Sequence, residues 1–161
     1  MRRRIFQLDP DVAPYFVTTV TLHRNPIFAE ARVARLFVDT LYDARAGYGF
    51  LLLSFAVMPD HVHLVLLPSG RNQISDVVRF IKGAFARNYN ARSATEGSIW
   101  QPSFYRRLVR SNARLRAVVA YVDKNPVVGA LTNDVLSYEF CSANGRYETD
   151  LEAYIEDRRP G

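Results

Sequence analysis

The chain has 161 residues, the length of one ordinary domain, and its 48% hydrophobic, 12% aromatic and 23% charged residues supply a core and exclude intrinsic disorder. One cysteine, Cys141, excludes an intramolecular disulfide framework and a cysteine-based zinc site, which fits a reducing, cytoplasmic setting. The longest apolar stretch, Phe50 to Met58, is interrupted by Ser54 and falls well short of the ~18 residues of a membrane span; Arg2, Arg3 and Arg4 are followed by no apolar core of an export signal.

The net charge of +5 is unevenly spread: residues 1–70 carry 7 basic and 6 acidic side chains, residues 71–124 carry 11 and 3, and residues 125–161 carry 3 and 7. The middle of the chain is therefore a cationic surface suited to an anionic partner. Of the 21 basic residues 19 are arginine, whose planar fork matches phosphate oxygens.

In chain order, Tyr15 to Leu22 is β-branched and aromatic and reads as a strand. From Phe28 to Ala46, apolar residues recur at three- and four-residue spacing through Val33, Leu36, Phe37 and Leu41, which predicts an amphipathic helix stopped by Gly47. The apolar run Phe50 to Val57 predicts a strand covered on both faces, and Met58, Pro59 and Asp60 a tight turn into a partner strand, His61 to Leu67. A second amphipathic helix is expected from Ile74 to about Tyr89, a polar loop over Ala91 to Ser98, and a short strand within Trp100 to Val109. Ser111 or Asn112 is positioned to cap a third helix running through Lys124 and closed by Pro126. The acidic tail from Leu131 has no clear period.

Strand, helix, strand, strand, helix, strand is the order of the ferredoxin-like split βαβ sandwich, an α+β fold with an antiparallel sheet and both helices on one face. The expected domain spans 1–161, with a core over about 12–131, an added helix beyond the basic fold and a tail over 132–161. The first and third strands are central, and the second face of the sheet is expected to be open for function.

His61 and His63, two apart on a strand, project from one face, where two imidazoles share a metal or simply line the sheet. A metal held there needs a third ligand, and octahedral Mg²⁺ or Mn²⁺ prefers oxygen. Asn125 offers an amide oxygen, and Tyr121 lies four residues earlier on the same helical stripe. A phenol beside a divalent cation can attack phosphorus and form a phosphotyrosine; equally, Tyr121 suits an ordinary core position and Asn125 a helix end. Tyr105 is the rival nucleophile, but Val109 stands where a ligand would be at i+4. His23 is a candidate outer group, Trp100 and Phe104 candidate stacking platforms. Arg79, Lys82, Arg87, Arg106, Arg107, Arg110, Arg114 and Arg116 cluster within 38 residues, as a phosphate-tracking groove requires, while Arg2, Arg3 and Arg4 suit an added basic arm. The acidic tail is a candidate competitor for that groove.

His61-Val62-His63 after Met58-Pro59-Asp60 resembles the His-hydrophobic-His motif of the HUH-superfamily nucleases. Trp100-Gln101-Pro102-Ser103-Phe104-Tyr105, Tyr121-Val122-Asp123-Lys124-Asn125-Pro126-Val127, Phe80-Ile81-Lys82-Gly83 and the stretch Tyr15 to Phe28 extend the likeness to the REP-associated tyrosine transposases, single-tyrosine members of that superfamily. The resemblance runs from about Tyr15 to Leu131. It departs at Gly129-Ala130-Leu131, where the family commonly has Ala-Gly-Leu, and near Phe140-Cys141-Ser142, where it has Trp-Ser-Ser.

The resemblance implies an enzyme that nicks and rejoins single-stranded DNA near hairpins of palindromic repeats through a 5′-phosphotyrosine. It implies Tyr121 as nucleophile, His61, His63 and Asn125 as ligands of Mg²⁺ or Mn²⁺, and a nucleoid-associated bacterial setting; the charge cluster itself offers Arg79, Lys82, Arg87, Arg106, Arg107, Arg110 and Arg114 as DNA contacts. A monomer is expected, although element-excising relatives resemble dimers with exchanged tyrosine helices. Two other readings stay open: a non-catalytic nucleic-acid-binding module on a ferredoxin-like sheet, and hydrolysis by activated water.

Overall fold

Alternation along the strands decides which side chains meet the helices. The computed structural model describes residues 12–159, so Arg2, Arg3 and Arg4 lie outside the described residues. Tyr15–Val20 (β1), Phe50–Val57 (β2), His61–Pro68 (β3) and Tyr105–Leu108 (β4) form one four-stranded sheet in the order β2-β3-β1-β4, every pair antiparallel. Ala31–Ala44 (α1) and Ile74–Ser93 (α2) lie on one face, the ferredoxin-like arrangement, with β1 and β3 central as expected. Val17, Val62, Leu64 and Leu66 point into this layer and meet Phe37, Leu41, Val78, Ile81 and Phe85 in one buried cluster.

Element limits differ modestly from the sequence reading. The first helix begins at Ala31, after a 3-10 turn over Ile27–Ala29, and passes into a π turn over Arg45–Gly49; the second runs on to Ser93, into the expected loop. The fourth strand covers only Tyr105–Leu108 because Trp100 belongs to the core instead. Its ring packs against Phe28, Phe37 and Phe85 with centroids 5.6–6.0 Å apart, and its Nε1–H donates to the Lys82 carbonyl at 3.1 Å. Trp100 is thus 4% exposed and is no platform for a base.

The second face of the sheet is not open. Asn112–Val128 (α3), two 3-10 turns over Val135–Ser137 and Ser142–Asn144, and Leu151–Asp157 (α4) cover it, and Leu53, Val65 and Leu67 are buried there with Leu115, Val122, Cys141 and Tyr154. Those strand residues explain the difference, since leaving each in water forgoes roughly 1.5–3 kcal/mol of burial. β2 is covered on both faces as expected, and as an edge strand its free side is protected by the tail: Cys141 bridges Ala56, the Val57 N–H donates to the Phe140 carbonyl at 2.8 Å, and the Leu52 N–H donates to the Asp150 carboxylate at 2.9 Å. The tail's Glu139 and Asp150 pair with Arg35 and Arg45 of α1 and its π turn, not with the cationic stretch. Among the described residues no helix is long and apolar enough to cross a membrane.

Candidate active site

β3 places His61 and His63 on the face that α3 covers, in line with Val65 and Leu67. Register sets Thr18 of β1 directly opposite His63, and its hydroxyl lies 2.8 Å from His63 Nδ1. His61 Nδ1 lies 2.6 Å from Asp60 Oδ1, and Asp60 Oδ2 accepts from Arg24 Nη1 at 2.9 Å. Each ring therefore has Nδ1 engaged and keeps Nε2 for another partner, with centroids 4.8 Å apart.

The turn holding Asp60 is pinned from outside the hairpin. The buried Thr21 donates to the Asp60 carbonyl through its N–H at 2.9 Å and its hydroxyl at 3.0 Å. Arg24 follows the exposed His23, and both take left-handed backbone conformations, at φ 53° and 55°. Two consecutive side-chain-bearing residues in that region are costly unless the surroundings require it, and here the chain must turn back for Arg24 to reach Asp60. Burial by itself pushes the Asp60 carboxyl up, but hydrogen bonds from His61 and Arg24 outweigh it and hold the group below the usual carboxylate range.

α3 carries the other expected groups. The Ser111 hydroxyl accepts from the Arg114 N–H at 3.1 Å and caps the helix. The helix does not close before Pro126 but continues to Val128: near the end of a helix proline costs one hydrogen bond, and its buried ring packs below. Asn125 is thus a helical residue one turn after Tyr121, and its side chain lies near enough to the His63 imidazole to favour the protonated ring. The Tyr121 ring stands 5.6 Å from that of His63 at 68° and 5.9 Å from Phe16 at 87°, and the residue is 54% exposed. Tyr105, also 54% exposed, touches Phe16 from the β4 side, so Tyr121 is the tyrosine seated against the histidines.

Burial, reinforced by the neighbouring His61, lowers the His63 pKa to about 4, although the Asn125 side chain acts in the opposite direction. The imidazole is neutral at physiological pH, the form that donates a lone pair to a metal. Among the described residues no group of three or more His, Cys, Asp or Glu side chains is placed to hold an ion. The donors that would suit a divalent cation here are the imidazoles of His61 and His63 and the amide oxygen of Asn125, two nitrogens and one oxygen.

The basic residues separate into groups rather than one groove. Arg107 and Arg114 line a cavity beside Tyr121. Arg79 and Lys82 border another on the α2 side, with Phe104, and Arg110 faces a third near Tyr154. Arg87, Arg106 and Arg116 are exposed. Lys82 is occupied: its ammonium donates to the carbonyls of Gln101 at 2.8 Å and Ser103 at 3.4 Å and lies 6.0 Å from the Phe104 ring, and burial lowers its pKa. It ties the Trp100 to Phe104 segment onto α2. Thr18, Arg24, Asp60 and Phe16 are the members of the site that sequence reasoning missed. Only Asp60 left a signal, an acid directly before the first histidine.

A ferredoxin-like sheet with paired histidines on a central strand, and a tyrosine and an asparagine one helical turn apart above them, is the architecture of a tyrosine transposase. A model of the IS200-like transposase family matches residues 12–125, and the chain belongs to that family. It is 30% identical over 119 residues to the ISDra2 transposase TnpA of Deinococcus radiodurans, covering 70% of this chain and 81% of that protein. It is 27% identical over 153 residues to a Haemophilus influenzae protein named as a REP-associated tyrosine transposase, covering 89% and 85%. Among solved structures, a REP-associated tyrosine transposase bound to a REP hairpin superposes with a TM-score of 0.71 at 20% identity over 92% of this chain and 88% of that one, a likeness of fold. A Deinococcus radiodurans transposase gives a TM-score of 0.55 at 26% identity over 77% and 97%. The chain is a transposase, an enzyme of the tyrosine class.

Proposed function

We propose that this transposase nicks and rejoins single-stranded DNA beside a hairpin, with Tyr121 as nucleophile and Mg²⁺ or Mn²⁺ held by His61, His63 and Asn125. The observation that carries the reading is the Tyr121 ring packed 5.6 Å from His63, with Asn125 one helical turn later on the same helix and in the surroundings of that imidazole. All four groups come from one chain, which supports a monomer as the active unit. The hairpin substrate is supported by the solved relative named as bound to a REP hairpin, and a chromosomal hairpin substrate would accord with work at the bacterial nucleoid.

In the forward step the Tyr121 hydroxyl oxygen bonds to phosphorus as the bond to the 3′ oxygen breaks. The phenol proton passes to solvent, to which Tyr121 is open, and the 3′ oxygen leaves as a hydroxyl. A divalent cation, when bound, polarises the phosphate and stabilises the charge that develops. Asp60 and Thr18 hold the imidazoles in orientation, and Phe16, stacked on His63 at 5.5 Å and 26°, covers that ring from water. Because the phosphotyrosine keeps the energy of the broken phosphodiester, attack by a 3′ hydroxyl reverses the step without ATP. Incubation with a hairpin-flanked single-stranded oligonucleotide and Mn²⁺, followed by a denaturing gel, should yield a protein–DNA adduct that Tyr121→Phe and chelation both abolish. DNA retention without an adduct would mark a binding module. Cleavage that survives Tyr121→Phe would mark hydrolysis by water.

A further inference from the structure

Beyond Tyr121 and away from the histidines, Phe16 forms the floor of a cavity of about 330 Å³. Tyr105 and Tyr121 stand on that floor from opposite elements, β4 and α3, inclined to it at 69° and 87° with centroids 6.1 and 5.9 Å from Phe16. Val118 closes the helix side, and Arg107 and Arg114 border the same space. Both arginines are exposed, and neither forms an ion pair among the described residues. Two half-exposed tyrosines on an aromatic floor, with unpaired guanidinium groups at the rim, fit a flat aromatic ring joined to an anion. The volume lies at the lower end of small-ligand cavities, suited to one base rather than a duplex.

The geometry points to a nucleobase seat: this cavity takes one unpaired base of the single strand, next to the phosphate presented to Tyr121, with Tyr105 as its stacking wall and Arg107 and Arg114 on the flanking phosphates. The inference rests on the proposed single-stranded substrate but not on the covalent step. Tyr105, weighed above as a rival nucleophile, thereby becomes a specificity-determining residue. Strand β4 has the length and edge position to place it there, because Tyr105 pairs with Thr18 and shares a sheet face with Phe16.

The test uses the full chain in EDTA, so that no cleavage intervenes, with hairpin oligonucleotides carrying 2-aminopurine at each position of the single-stranded flank in turn. One position should lose fluorescence on binding. Tyr105→Ala should restore that fluorescence and weaken binding about tenfold, within the range of base-aromatic stacking, Tyr105→Phe should retain the quenching, and an abasic site there should weaken wild-type binding similarly. Unchanged quenching in a folded Tyr105→Ala variant, or no quenched position at all, would overturn the seat. Adduct formation measured separately with Mn²⁺ distinguishes the two readings: an adduct without a quenched position sinks only the seat, and a quenched position without an adduct sinks only the tyrosine mechanism.

Discussion

The Asp60 carboxylate binds two different partners, one oxygen on His61 and the other on Arg24, and the site depends on that division. Fixing Nδ1 through a carboxylate both orients the ring and raises its basicity as a ligand. Asp60→Asn should therefore weaken Mn²⁺ binding about 10- to 100-fold in calorimetric titration, with little change in thermal stability. Equal affinity would assign the contact to the turn alone. At this scale the sequence displayed the two histidines, the tyrosine and the asparagine, because each reads from spacing along one strand or one helix. Thr18 and Phe16 were hidden, since their roles arise from register between strands 45 or more residues apart. The left-handed pair His23 and Arg24 was hidden too, because an arginine gives no sign of positive φ and a histidine only a weak one.

α3 is the element on which both the proposed nucleophile and the third candidate ligand ride. Its N-terminus is capped by Ser111, and its C-terminal end comes close to the β2–β3 turn, where a Cβ added to Gly129 would lie 2.9 Å from Met58 Cε. Ser111→Ala removes the cap and should cost about 1 kcal/mol, a fall of about 3 °C in Tm by calorimetry, with the adduct yield preserved. A fall in adduct yield without loss of stability would mean that helix position, rather than fold, depends on the cap. The helix was legible from its cap and its period. Its end was not, because a proline near a C-terminus interrupts fewer bonds than one in mid-helix, and only the packing below Pro126 shows which case applies.

The tail decides the shape of the whole molecule. Sequence reading left it without period because it meets the sheet through short turns and isolated side chains: the Tyr138 hydroxyl donates to the Val57 carbonyl at 2.5 Å, and Phe140, Cys141 and Tyr154 are buried. The strand and helix order, by contrast, was enough to give the ferredoxin-like sheet. Arg45 and Asp150 form a two-bond ion pair at 2.7 and 3.0 Å with side chains 5% and 14% exposed, so Asp150→Ala should destabilise the chain by about 3–5 kcal/mol in denaturant titration. A loss under ~1 kcal/mol would show that water already screens the pair. Deleting residues 135–161 should yield an insoluble or partly unfolded chain rather than a faster enzyme, since it uncovers Leu53, Val65 and Leu67. A soluble, cooperatively folding truncation with accelerated nicking would restore the expected competition between tail and DNA. The central claim is tested most directly by digesting the Mn²⁺-dependent adduct with trypsin and nuclease and locating the retained nucleotide by mass spectrometry. It should sit on the peptide from Ala117 to Lys124, which contains Tyr121; a nucleotide on the peptide carrying Tyr105, or a cut strand ending in a free 5′ phosphate with no modified peptide, would contradict the account.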